Sequence, residues 1–100
     1  MKIIYKEPYK NLKETEIEGN SKKYLDAIQS IIGGDFDYLM LPHMIKVLRP
    51  LDENNDKLEP NLIVGKNLVL GNVVFVGIDE DENFTPLSEL QEAFIRKKYN

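Results

Sequence analysis

Val73-Val74-Phe75-Val76-Gly77-Ile78 is the stretch that decides the fold. It carries no polar side chain, so it has no face to give to water. A strand of this kind is covered on both sides and runs through the middle of a sheet. The residues after it close the domain. Asp79-Glu80-Asp81-Glu82-Asn83 reads as an acidic turn, and Phe84-Thr85-Pro86-Leu87-Ser88 opens a capped helix. Two cap registers compete there. Thr85 can cap with Pro86 at the first helical position, or Ser88 and Gln91 can form an S-x-x-Q capping box. The helix is expected to turn Leu87, Leu90, Ala93 and Phe94 to one face. Its last turn holds Arg96-Lys97-Lys98, where cations complement the helix dipole.

A central strand needs neighbours, and the rest of the chain supplies them. Ile3 to Glu7 alternates and stops at Pro8, which reads as a strand. Leu12 to Glu18 reads as a half-exposed second strand, joined to the first as a hairpin through Tyr9-Lys10-Asn11. Ser21 is the expected N-cap of a helix over Lys22 to Ile32. On a helical wheel Tyr24, Leu25, Ala27, Ile28, Ile31 and Ile32 form the core-facing stripe. Gly33-Gly34 ends the helix, since glycine takes the left-handed C-terminal geometry without strain. Asp35 to Leu41 and Met44 to Arg49 read as two strands split by Pro42-His43. Leu51 to Lys57 is a polar turn. Leu58 to Val64 is ambiguous because Pro60 forbids a central strand, and Lys66 to Leu70 is a short helix or an extended piece. The expected fold is α+β: a mostly antiparallel sheet of about five strands with two helices, in the order ββαββ…βα, as one domain over residues 1–100.

Composition narrows the class. A chain of 100 residues that is 42% hydrophobic and 30% charged is an ordinary globular domain with a modest core. The net charge of −4, with lysines scattered, argues against a nucleic-acid partner. There is no cysteine, which removes disulfides, thiolate metal sites and cysteine nucleophiles together. No apolar run approaches the roughly 18 residues of a membrane span, and Met1 to Glu7 has no signal-peptide core. The absence of cysteine fits a reducing compartment, and the expected location is cytoplasmic.

Several motifs come close to known chemistry and then fail. Asp52, Asn54 and Asp56 match the first ligands of a calcium loop, but Lys57 and Ile63 stand where glycine and the bidentate glutamate are needed. Gly65-Lys66-Asn67 lacks both the upstream glycine and the Ser or Thr of a P-loop. The four acids at Asp79 to Glu82 alternate in direction, as a solvated turn does. His43 is the only histidine, and nothing around it marks a nucleophile or an orienting carboxylate. No metal and no cofactor is expected.

The order of segments resembles the DUF3846 family. Three places carry the likeness: Met1-Lys2-Ile3-Ile4 … Glu7-Pro8 with Glu16-Ile17-Glu18-Gly19; Ile31-Ile32-Gly33-Gly34-Asp35-Phe36; and Gly71-Asn72-Val73-Val74-Phe75-Val76-Gly77 … Phe84-Thr85-Pro86-Leu87-Ser88-Glu89-Leu90-Gln91. The resemblance implies a phage, plasmid or other mobile-element setting, and with it a role in host takeover or counter-defence. It implies no agreed activity and no catalytic residues.

The leading expectation is therefore a non-enzymatic binding module, homo-oligomeric, that sequesters a small nucleotide-like ligand. Tyr38, His43, Arg49 and Asn61 are the candidate ligand-binding residues, because stacking and phosphate pairing need these types. A stoichiometric inhibitor that binds a host protein through an acidic surface is the second reading. The third is a phosphodiester hydrolase with His43 as general acid–base and Arg49 on phosphate.

Overall fold

The computed structural model describes residues 1–51 and 57–99. The elements run β1 (Lys2–Lys6), β2 (Lys13–Glu16), α1 (Ser21–Ile32), β3 (Phe36–Leu41), β4 (Ile45–Pro50), β5 (Pro60–Val64), β6 (Asn67–Leu70), β7 (Val73–Ile78), β8 (Phe84–Thr85) and α2 (Glu89–Tyr99). β7 is buried at all its positions and lies in the middle of an antiparallel sheet ordered β2-β1-β7-β4-β3. The short β8 pairs with the far end of β7, in line with β1. The expected α+β architecture is the observed one. β5 and β6 form a separate two-stranded hairpin, which settles both ambiguous stretches. Pro60 opens β5, where its missing N–H costs least, and a register shift comes directly after it. The reading of the polar turn at Asp52–Asp56 lies outside the described residues.

Residues directly opposite in an antiparallel pair share a face, so the register sorts the core into two layers. Ile4, Leu41, Ile45, Val47, Val73 and Phe75 point to one side, the hairpin face. There they meet Leu62, Val64 and Val69 of the hairpin and Leu87 and Ile95 of the C-terminal segment. Ile3, Leu48, Val74 and Val76 point to the other side, the α1 face, where Ile28 and Ile32 of α1 cover them. Asn61 fastens the hairpin: its Nδ2 donates to the backbone oxygens of Lys6 and Gly71 at 2.8 and 2.7 Å, and its Oδ1 accepts from Lys6 Nζ at 2.6 Å.

Both helices correct the sequence reading in detail. α1 is capped by Asn20, one residue before the expected Ser21, because the Asn20 Oδ1 accepts the Lys23 N–H. Gly33, at φ 97°, and Gly34 end it as expected, both donating to the Gln29 carbonyl. Leu25 leaves the buried stripe and is exposed. At α2 the Ser88–Gln91 box is the register used: Gln91 N donates to Ser88 Oγ, and Ser88 N to Gln91 Oε1. The helix therefore starts later than Thr85, and its buried side turns. Ile95 is fully buried, whereas Leu90 is exposed. Gln91 and Glu92 occupy the inward first turn. Gln91 Nε2 donates to the carbonyls of His43 and Met44, and Glu92 accepts from Lys2 at 3.0 Å. No helix among the described residues is long and apolar enough to cross a membrane.

Candidate functional site

The α1 face of the sheet is not fully covered. α1 packs over β7, and between its first turn and the β7–β8 turn lies an open cleft of about 260 Å³. Ser21, Tyr24 and Leu25 line it from the helix, and Glu82, Asn83 and Phe84 from the turn and β8. Each wall has a local cause. Asn20 starts the helix here, so Ser21 and Lys22 carry the N–H groups that have no intrahelical acceptor. One turn on, Tyr24 lies at the margin of the apolar stripe, half in the core and half in the cleft, and the exposed Leu25 stands beside it.

The opposite wall is built by Asp79. Its Oδ1 accepts the backbone N–H groups of Asp81 and Asn83, each at 2.9 Å, and its backbone N–H donates to the Asn83 carbonyl. This is an Asx-type turn, the use of aspartate that explains the residue at this position. The N–H of Asn83 is the largest influence holding the Asp79 carboxyl below its ordinary pKa, with that of Asp81 adding to it and partial desolvation opposing. The turn forces Glu82 into the left-handed region at φ 62°. A non-glycine residue there costs on the order of 1–2 kcal/mol, and in this conformation the Glu82 carboxylate reaches back to the sheet.

What it meets there is Lys46. This is the one charged residue buried in the sheet among the described residues, 7% exposed as the second residue of β4. Its Nζ lies 3.2 Å from Glu82 Oε1 and 3.9 Å from the centre of the Tyr38 ring. A buried ammonium needs such partners. Glu82 thus links the cleft wall to Lys46 and, through it, to Tyr38; Tyr38 and Met40 succeed each other along the same face of β3, 48% and 51% exposed.

Of the residues picked from sequence, Tyr38 adjoins this surface. The other three lie on the hairpin side of the sheet. His43 sits in the β3–β4 turn with φ 68°, its imidazole edge-on to Phe94 at 5.0 Å between ring centres. Arg49 is opposite Asp37 and forms an ion pair with it at 2.8 Å. Asn61 spends its amide on the hairpin bonds described above. The structure thus does not bring the four together. Among the described residues no three His, Asp or Glu side chains converge as a metal-holding group. Lys46 did carry a signal in the sequence, as the lone charge within Ile45-Lys46-Val47-Leu48. Tyr24, Glu82 and Phe84 carried none, because only the tertiary fold brings them to one place.

The family model described as "Domain of unknown function (DUF3846)" matches residues 1–100, the whole chain. No curated protein and no solved structure matches it.

Proposed function

Because the chain belongs to the DUF3846 family, a membership that assigns no activity, we propose from its own geometry a non-enzymatic binding module that sequesters a small planar anion of the nucleotide class. The observation that carries this reading is the cleft between α1 and the β7–β8 turn. It joins two aromatic side chains, Tyr24 and Phe84, to a helix N-terminus. Aromatic faces take a nucleobase by stacking whatever its sequence identity. The N–H groups of Ser21 and Lys22 favour an anionic group beside it. At about 260 Å³ the space lies just below the usual range of ligand sites, which suits a ligand no larger than one base with its sugar and first phosphate. Tyr38 belongs to the reading as a support: it holds Lys46, which holds Glu82 at the cleft wall.

Titration calorimetry against a panel of mononucleotides and cyclic dinucleotides tests this. Tyr24→Ala and Phe84→Ala should each weaken binding by roughly 5- to 150-fold, the range of one lost base stack at about 1–3 kcal/mol. Tyr38→Ala should weaken it less. The ligand should be recovered unaltered after prolonged incubation. If no panel member binds, or the two alanine variants bind as the parent does, the reading fails. Consumption of many equivalents per chain would instead make the protein a hydrolase.

A further inference from the structure

The two edges of the sheet are built differently, and the difference concerns association. The β1–β2 ladder can be phased from the reciprocal backbone bonds between Met1 and Ile17. Alternation then sends the N–H and C=O of Glu14 and Glu16 outward. Pairing this edge with itself about Glu14 sets one carboxylate against another, a device that protects edge strands. At the other edge the Leu51 N–H donates to the Asp35 carbonyl, and the Ile78 N–H to the Met44 carbonyl. Both bonds give one phase: odd-numbered residues of β3 bond to β4, and Phe36, Tyr38 and Met40 turn their backbone groups outward. Among the described residues no strand pairs with that side. The side chains of these three residues all stand on the α1 face, two of them about half exposed.

We propose that the β3 edge pairs with β3 of a second copy, antiparallel, with Tyr38 facing Tyr38 of the second copy across a two-fold axis. The sequence of the strand selects both occupant and register. Centred on Tyr38, Phe36 faces Met40 of the second copy and Asp37 faces Leu39, so no like charges meet. Every outward N–H and C=O of Phe36, Tyr38 and Met40 then finds a partner. Centring on Asp37 would put two carboxylates face to face. Centring on Leu39 would put Phe36 against Pro42, which has no N–H to give. The chain is thus complementary to itself in the register centred on Tyr38, and the product is a continuous sheet across both copies, with the two α1 faces on the same side. The inference does not depend on what fills the cleft.

Sedimentation velocity of the full chain across a concentration series is the test. The expected result is a shift from the monomer mass of 11.6 kDa to twice that value. Met40→Pro removes an outward N–H and no bond of the β3–β4 ladder, so its circular dichroism spectrum should stay that of the parent while the dimer is lost. Tyr38→Glu, which sets two carboxylates across the axis, should do the same should proline disturb the strand. Because the chain has no cysteine, Tyr38→Cys reports the register directly. It should oxidise to a disulfide-linked dimer, whereas Glu14→Cys should not. A monomer that persists to about 1 mM, the weak end of specific association, overturns the proposal and leaves the edge to an extended segment of another protein. A dimer that survives both Met40→Pro and Tyr38→Glu overturns it too.

Discussion

Gly77 illustrates how one residue can be fixed by its neighbours rather than by its own backbone. It lies within the central strand, where glycine is a poor choice on propensity alone. A Cβ built there would stand 2.8 Å from Thr85 Oγ1, 3.0 Å from Gln91 Oε1 and 3.1 Å from the Thr85 carbonyl oxygen. Those atoms are not free to move: β8 pairs with β7 at Gly77, and Gln91 Oε1 accepts the Ser88 N–H in the cap of α2. Gly77→Ala should therefore destabilise by about 1–3 kcal/mol, the usual cost of overpacking, in spite of alanine's better strand propensity. Urea unfolding checks this, and a variant as stable as the parent would mean that the α2 cap moves aside without cost. Gln91 itself was legible only in part. Its capping box could be read from the spacing to Ser88, but its second role, holding the His43–Met44 turn, joins parts of the chain that no local pattern connects.

At the scale of elements, legibility followed the source of each element's stability. β7 and α1 could be read because their patterns are local: an unbroken apolar run, and a stripe between Asn20 and Gly33. The buried side of α2 could not, because its inward first turn is polar. Gln91 and Glu92 are stabilised by specific acceptors and donors on other elements, so a hydrophobicity pattern points to Leu90 instead of Ile95. The β7–β8 turn is a middle case. Its acidity suggested solvent, and four of its residues are exposed or nearly so, yet Asp79 organises it. That role has a pH consequence. The Asp79 carboxyl is held below the ordinary aspartate value of about 3.9, first by the Asn83 N–H. A depressed carboxyl stabilises the turn at pH values above its unfolded pKa, and this contribution is lost as pH falls through the lower folded value. The turn should stay ordered down to about pH 4 and loosen below it. Carbon-detected NMR titration of Asp79 should give a midpoint under 3.9, with the Asp81 and Asn83 amides losing protection in step. Asp79→Asn should remove that dependence. A midpoint at or above the ordinary value would show that the turn bonds do not hold in solution.

The whole molecule hangs on β7. Phe75 and Val73 belong to the hairpin face, Val74 and Val76 to the α1 face, and β1 reaches β7 only after most of the chain has been passed. Two apolar layers that share one strand cannot lose it separately. Loosening either should release the other, although α1 and the β5–β6 hairpin lie on opposite sides of the sheet. Ile28→Ala removes side-chain volume from under α1, at a cost of about 2–5 kcal/mol. Phe75→Ala does so under the hairpin and beside Tyr99, whose ring centre is 5.5 Å away, at about 3–5 kcal/mol. Either loss is a large share of the roughly 5–15 kcal/mol that holds a domain together. The sharper expectation concerns cooperativity. In urea, amide exchange in α1 and in the β5–β6 hairpin should collapse at one midpoint in the parent, and at one lower midpoint in each variant. A hairpin that stays protected in Ile28→Ala after α1 has opened would mean that β5, β6 and Asn61 hold a unit of their own. The molecule would then be two foldons on one sheet, and the central position of β7 would describe its geometry without governing its stability.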